Sequence, residues 1–343
     1  MDNLSHLLST LNLLPALGQI QHLDHTLSQG QRGTVTKLTT HQGHYLIKAI
    51  PYTSSNQHKR LVQSQGLVSE MIRQTDATVI AAKMINHLQT HNFEDTWLIQ
   101  VFDFLEPAHI KHRGKLTPEN AHTLGSLLAK IHSTTFDPSN MPAYSTKPPV
   151  PLIEWRDYAI YGYQNQTPWA EKLDASYSQL YTLYAQTALS YRMVHRKDPV
   201  LEHGDLHHSN VLWQADTPYI IDWDALNSGN RFVFLLRHAM RFSLCHDGVG
   251  AISQELFTQF IQGYGHKELL QGLNLPLYLE ATMYRLLRDL HKCLDRHVRL
   301  TKDNANEQAI SQANFLVDFQ LNEVLNFEST MKHLPAYWDI ASL

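Results

Sequence analysis

Apolar and β-branched residues alternate with polar ones through Gly33-Thr34-Val35-Thr36-Lys37-Leu38 and again through Tyr45-Leu46-Ile47-Lys48-Ala49-Ile50, with His41-Gln42-Gly43-His44 between them. Two period-two runs around a glycine-containing turn predict a β-hairpin. From Leu61 to Leu88 the period changes, and Leu67, Met71, Ile80, Ala81, Met84, Ile85 and Leu88 recur at helical spacing. Trp97-Leu98-Ile99-Gln100-Val101-Phe102 is nearly unbroken in its apolarity and reads as a buried strand running into Asp103-Phe104-Leu105-Glu106-Pro107.

Beyond residue 105 the pattern becomes helical. Thr117-Pro118-Glu119-Asn120 is a helix start, with a threonine cap and a proline at the first helical position. Leu124, Leu127, Leu128 and Ile131 follow on one face. Pro138, Pro142, Pro148, Pro149 and Pro151 make the stretch from Asp137 to Pro151 irregular. After Trp169 helical periodicity dominates, interrupted by a short apolar hairpin at Val211-Leu212-Trp213 and Tyr219-Ile220-Ile221. The expected architecture is α+β and two-lobed: a small β-rich N-terminal lobe over residues 1–105 and a larger, mainly helical lobe over residues 106–343.

Composition removes several classes of function. With 28 Lys+Arg against 32 Asp+Glu, the chain has no electrostatic footprint for nucleic acid or an anionic membrane surface. No stretch approaches the roughly 18 consecutive apolar residues that mark a membrane span. The N-terminus, Met1-Asp2-Asn3-Leu4-Ser5-His6, has no basic segment ahead of its apolar residues and so does not read as a secretory signal. Cys245 and Cys293 are too few for a disulfide framework and suit a reducing cytoplasm.

The densest chemistry lies in His203-Gly204-Asp205-Leu206-His207-His208-Ser209-Asn210 and, after the hairpin, in Ile221-Asp222-Trp223-Asp224. Asp205, Asn210 and Asp222 thereby fall on two adjacent loops that a hairpin brings together. Two carboxylates about 4 Å apart repel by roughly 4 kcal/mol at an effective dielectric near 20, and a divalent cation is the usual compensation. Mg²⁺ takes oxygen ligands and is typically held by one or two carboxylates together with phosphates, a role for Asn210 and Asp222. Asp205 is then left to act as a base on an attacking hydroxyl, the division of labour found in phosphoryl transfer.

These two motifs, in this order and at this spacing, resemble the aminoglycoside phosphotransferase and choline kinase superfamily, which has a protein-kinase-like fold. The resemblance covers residues from about 25 to about 265. It implies that Lys48 is a phosphate-binding lysine and that Glu70, in the helix that follows, is its ion-pair partner. It further implies that Gly30 and Gly33 lie in the nucleotide-covering loop Gln29-Gly30-Gln31-Arg32-Gly33, and that Asp103, Phe104 and Leu105 form the interlobe hinge whose backbone would bind adenine. Leu124 to His132 is similar to the first helix of the family's second lobe. The cofactors implied are Mg²⁺ and ATP or GTP, with nucleotide between the lobes and a small-molecule hydroxyl compound as acceptor. One departure stands out: the acidic residue that the family carries a short way after its metal-binding aspartate has no counterpart in Asn230-Arg231-Phe232-Val233-Phe234-Leu235.

Other readings of the same residues stay open. Asp224 would bind substrate or a second metal, or cap its loop. Trp155 and Tyr158, in the aromatic run to Tyr163, would form a cage for a cationic substrate or serve simply as packing. His203, His207 and His208 lack a cysteine or a well-spaced further ligand for zinc, and the expected role of His203 is to orient its loop. The acceptor implied by the resemblance is an aminoglycoside-type antibiotic. The alternative is a metabolic alcohol such as choline, ethanolamine, thiamine, homoserine or a sugar. A nucleotide-binding pseudokinase that serves as an interaction module is a reading of another class. A protein kinase is disfavoured, because no Ala-Pro-Glu sequence follows Asp222.

Overall fold

The computed structural model describes residues 17–24, 28–30, 33–52, 55–77, 89–92, 95–111, 114–137, 141, 155–244, 252–265, 267–331 and 333–341. Gln31, Arg32, the positions 80–88 expected to be helical, Cys245 and most of the proline-rich stretch lie outside these residues. The chain has a small antiparallel sheet toward its N-terminus and a larger helical part, the α+β, kinase-like arrangement expected. It divides into two compact units. The first comprises residues 1–110, 203–205 and 210–226, and the second residues 111–202, 206–209 and 227–343.

In the first unit, strands β1 (Ile20–Leu23), β2 (Ser28–Gly30), β3 (Gly33–Thr40), β4 (Gly43–Tyr52), β5 (Gln89–Asn92) and β6 (Asp95–Asp103) form one sheet in the order β1-β3-β4-β6-β5, with β2 also paired to β3. Alternation puts Leu38, Tyr45, Ile47, Ile99 and Val101 into one core with Leu17. Lys48 lies in the middle strand, its backbone opposite Val35 on one side and Gln100 on the other, so its position is fixed from both edges. Helix α1 spans Ser55–Thr75, starting earlier than the apolar periodicity from Leu61 suggested. Its first residues, Ser55-Asn56-Gln57-His58-Lys59-Arg60, are all polar and give a periodicity reading nothing to detect. Strand β5, Gln-Thr-His-Asn, was silent for the same reason.

A second sheet of this unit joins β7 (His109–Ile110), β9 (Val211–Gln214) and β10 (Thr217–Ile220), with β9 between the others. The β9–β10 register pairs Val211 with Ile220 at the open end of the hairpin. Asn210 and Ile221 are therefore the next two residues facing each other, and the Ile221 N–H donates to the Asn210 carbonyl at 3.1 Å.

The second unit is helical apart from the pair β8 (Pro199–Glu202) and β11 (Asn227–Asn230). Its helices are α2 (Pro118–His132), α3 (Trp155–Gln164), α4 (Ala170–Val194), α5 (Arg231–Ser243), α6 (Gln254–Tyr264), α7 (Lys267–Leu270), α8 (Leu275–Lys302), α9 (Glu307–Thr330) and α10 (Leu334–Ala341). Helix α2 begins as its sequence predicts: Thr117 and Asn120 cap each other reciprocally ahead of Pro118. None of the described helices is long and apolar enough to cross a membrane.

Helices α2 and α6 approach at Gly125 and Gly263. A Cβ on Gly125 would stand 2.0 Å from the Phe260 carbonyl oxygen, and one on Gly263 the same 2.0 Å from the His122 carbonyl oxygen. Backbone cannot swing aside as a side chain can. Gly125→Ala is therefore expected to destabilise the protein by about 1–3 kcal/mol, the usual cost of overpacking. A urea titration measures it as a lowered midpoint at constant m, and an unchanged midpoint would show that the helices part freely.

Candidate active site

Two short segments meet where the β9–β10 hairpin opens. His203 precedes them and joins both, its Nε2 donating to the Ile221 carbonyl at 2.8 Å while its Nδ1 accepts the Asp205 N–H at 3.3 Å. One ring nitrogen donating and the other accepting is the pattern of a neutral imidazole. The ring packs on Trp223 with centroids 4.6 Å apart, and the Trp223 indole N–H is held by the Ile220 carbonyl at 3.1 Å. His203 thus orients the loop, as expected, and is not a metal ligand in this arrangement.

Asp205 is held on both sides of its own backbone. Its N–H goes to His203, and its carbonyl accepts from the Asn210 amide nitrogen at 2.8 Å. The side chain that follows from this fixed backbone belongs to an exposed residue. Asn210 is buried, and because its Nδ2 is committed to Asp205, Oδ1 is the atom it would offer to a cation. Asp222 sits at φ 63°, ψ 60°, the left-handed region that Asp tolerates better than most residues. A turn that tight redirects the chain straight from the end of β10 into the one-turn 3₁₀ helix Trp223–Ala225, against which α1 packs.

Lys48 provides the correction to the sequence reading. Its ammonium donates to Asp222 Oδ1 and to Asp224 Oδ2, each at 2.6 Å, and not to Glu70. Glu70 accepts instead from Arg73 Nε at 2.8 Å and from Gln74 at 2.7 Å, partners one helical turn away on α1. These bonds, the one to Arg73 foremost, hold its carboxyl at about 2. The physical reason is charge: two carboxylates that share one loop attract an ammonium more strongly than one already neutralised by an arginine. Burial works to lower the Lys48 pKa, but Asp224 and Asp222 together outweigh it and the net shift is upward from 10.5. While Asp222 and Asp224 are ionised, the stabilisation that the Lys48 ammonium contributes is therefore fully present up to 10.5 and is lost as pH rises through the elevated value.

The remaining candidates are placed as follows. Gly30 pairs with Gly33 at the end of the β2–β3 ladder, so both flank the tip of a hairpin. Asp103 closes β6, and Phe104 donates its N–H to the His44 carbonyl at 3.1 Å, which commits that amide to the protein rather than to a base. Leu105 follows, half-buried. In the second unit Trp155 is 1% exposed and meets His291 edge-on, while the Tyr158 hydroxyl is bound by Asp295 and by His291 at 3.1 Å. A ring so enclosed presents no face to a cation, so the packing reading of Trp155 replaces the aromatic cage, and Tyr158 is tied into the same packing.

Among the described residues no group of three or more His, Cys, Asp or Glu side chains could hold a metal ion. The oxygens of Asn210 and Asp222 still suit Mg²⁺, which is usually bound by few protein ligands and completed by phosphates.

The model of the phosphotransferase enzyme family matches residues 72–272, more than half of the chain. The chain belongs to this family. It is a phosphotransferase. The match spans α2 and both loops just described, so the resemblance read from the motifs is borne out. Among curated proteins no sequence matches. Among solved structures, spectinomycin phosphotransferase in complex with ADP and spectinomycin is similar at 14% identity and a TM-score of 0.60, covering 93% of this chain and 98% of its own. Amicoumacin kinase in complex with AMP-PNP, Ca²⁺ and Ami is similar at 12% identity and a TM-score of 0.57, covering 93% of each chain. Plasmodium vivax ethanolamine kinase is similar at 14% identity and a TM-score of 0.56, covering 90% of this chain and 85% of its own. At these identities the likeness concerns the fold.

Proposed function

We propose that this phosphotransferase is a small-molecule kinase that transfers the γ-phosphoryl group of ATP to a substrate hydroxyl at Asp205. The observation that carries the reading is the pinning of the Asp205 backbone between His203 and Asn210, beside a hairpin end that presents Asp222 in a left-handed turn. Asp205 is the base: a carboxylate on an immobilised backbone accepts the proton of the attacking hydroxyl as the new O–P bond forms and the bond from the γ-phosphorus to the bridging oxygen breaks, with ADP as the leaving group. Asn210 Oδ1 and the Asp222 carboxylate are the residues that would hold Mg²⁺. When bound, that ion offsets the negative charge of the transferring phosphate. Lys48 neutralises Asp222 and Asp224 in the nucleotide-free protein and is the cation available to phosphate oxygens when nucleotide enters. Asp224, only 5% exposed at its side chain, anchors Lys48 rather than reaching for substrate.

In this reading residues 1–105 bind nucleotide, with Gly30 and Gly33 framing the hairpin over the phosphates and Asp103 to Leu105 beside the base. Residues 106–343 supply Asp205 and bind the acceptor. Complexes of the structural relatives with AMP-PNP and with ADP support ATP as donor, with GTP as the alternative. The antibiotic kinases among them support a hydroxyl-bearing antibiotic as acceptor, and the ethanolamine kinase supports an amino alcohol.

The metal assignment is tested by titrating ATP into the parent protein and Asp222→Asn, each with and without Mg²⁺. The parent is expected to bind ATP more tightly with Mg²⁺, and the variant to lose that difference. Equal Mg²⁺ dependence in both proteins would remove Asp222 as a ligand.

A further inference from the structure

The departure at Asn230–Leu235 leaves open what steadies the segment that carries Asp205. In the structure Asn230 is the N-cap of α5, its side chain accepting from the N–H groups of Phe232 and Val233. The helix that follows, Arg-Phe-Val-Phe-Leu-Leu-Arg-His-Ala-Met-Arg-Phe-Ser, is almost wholly buried although it carries Arg237, His238 and Arg241. Basic side chains inside an apolar helix need partners.

His238 and Arg241 lie three residues apart, on one turn of α5, and each reaches one flank of the segment 203–205. His238 Nε2 contacts Glu202 Oε1 at 2.8 Å, with His132 Nε2 3.9 Å from the other oxygen of the same carboxylate. Burial acts to raise the Glu202 pKa, but His238 and His132 outweigh it and hold the group in its carboxylate form. Arg241 Nη1 donates to the carbonyl of Leu206 at 3.1 Å, and Leu206 is the residue after Asp205. The same guanidinium is aimed by a bidentate pair: Nε to Glu323 Oε1 at 2.7 Å and Nη2 to Glu323 Oε2 at 2.8 Å. All of these side chains are buried. Glu202 and Leu206 bracket His203-Gly204-Asp205, so one helical turn grips the chain immediately before and immediately after the proposed base.

We propose that Arg241, aimed by Glu323, is a positioning residue for Asp205, with His238 and Glu202 as the second point of the same clamp. This rests on the proposed role of Asp205. It also gives α9, which carries no recognisable motif, a part in the reaction. A planar fork is needed here, because two donors must fix the guanidinium while a third reaches the carbonyl; a lysine has no such geometry.

Stability and positioning separate in a double replacement. Arg241→Met alone leaves the Glu323 carboxylate buried without its counter-ion and is expected to lower Tm strongly, to the point of misfolding. Arg241→Met combined with Glu323→Leu removes both charges, and exchanging a whole buried pair for apolar residues is often close to neutral. In this double variant, hydrogen–deuterium exchange of the peptide covering residues 203–210 and turnover of ATP with Mg²⁺ are measured beside the parent. The expected result is a Tm near the parent's, exchange at 203–210 faster by about tenfold, unchanged ATP affinity, and turnover lower by roughly 10- to 100-fold, since small misplacements of a reacting group have effects of that size. Parental exchange at 203–210, or loosened exchange with parental turnover, would overturn the clamp. A parent protein that consumes no ATP would instead count against the proposed function, and the exchange measurement would still decide whether Arg241 holds the loop.

Discussion

Asp205→Asn is expected to lower turnover by about 10²- to 10⁴-fold, the usual contribution of a general base, while ATP affinity stays close to the parent's. The substitution keeps the size of the side chain and much of its hydrogen bonding. It also spares what positions residue 205, because both of the bonds described use the backbone: the N–H to His203 Nδ1 and the carbonyl to Asn210 Nδ2. The loop should therefore keep its shape and lose only its proton acceptor. Turnover in a coupled ADP assay, with ATP affinity measured separately, makes the comparison. Near-parental turnover would show that Asp205 is not the base, and a parallel collapse of ATP binding would show that the substitution had damaged the site as a whole.

The second large effect concerns Lys48, and it runs in two directions. Lys48→Met should weaken ATP binding by roughly 10- to 150-fold, since a hydrogen bond to a charged group contributes about 1.5–3 kcal/mol. In the absence of nucleotide the same variant should bind Mn²⁺, a probe for Mg²⁺, more tightly than the parent. The reason is that Lys48 bridges Asp222 and Asp224 at 2.6 Å to each, and removing the ammonium leaves two carboxylates without their shared counter-charge. Methionine fills a similar length without charge, so strand β4 and its pairing on both sides should survive. Titration of Mn²⁺ followed by its electron paramagnetic resonance signal, with and without ATP, reads both directions. Weaker Mn²⁺ binding in nucleotide-free Lys48→Met would mean that the lysine does not compete for these oxygens.

What could be read from the sequence was what is local. Asp205 and Asn210 share one short loop, and a hairpin of two four-residue strands joins that loop to Asp222 with a register that follows from its alternation, so their convergence needs no knowledge of the rest of the fold. The Thr117 cap and the β3–β4 hairpin were legible for the same reason. Partners far apart in sequence were not. Lys48 chooses carboxylates 174 and 176 positions away over a glutamate in the next helix, because Glu70 has an arginine one turn along and the 222–224 loop has none. Arg241 and Glu323 lie 82 positions apart, and nothing in the composition of either helix pairs them. One signal was present and unused: Arg237, His238 and Arg241 lie within a mostly apolar stretch of one helix, which is a buried polar network in waiting. The aromatic run at Trp155 misled in the opposite sense, since rings that pack on histidines and rings that enclose a cation have the same spacing.

Acceptor-dependent ADP formation is the most direct test of the whole account. Mg²⁺ and ATP are held saturating while hydroxyl-bearing antibiotics and cationic amino alcohols are added one at a time, with Asp205→Asn run in parallel as the control. The account predicts that at least one compound raises ADP release well above the background with water alone, and that the rise disappears in Asp205→Asn. A protein that binds ATP with Mg²⁺ but releases no ADP above background with any of the compounds would contradict it, and would point to nucleotide binding that serves interaction with a partner rather than catalysis.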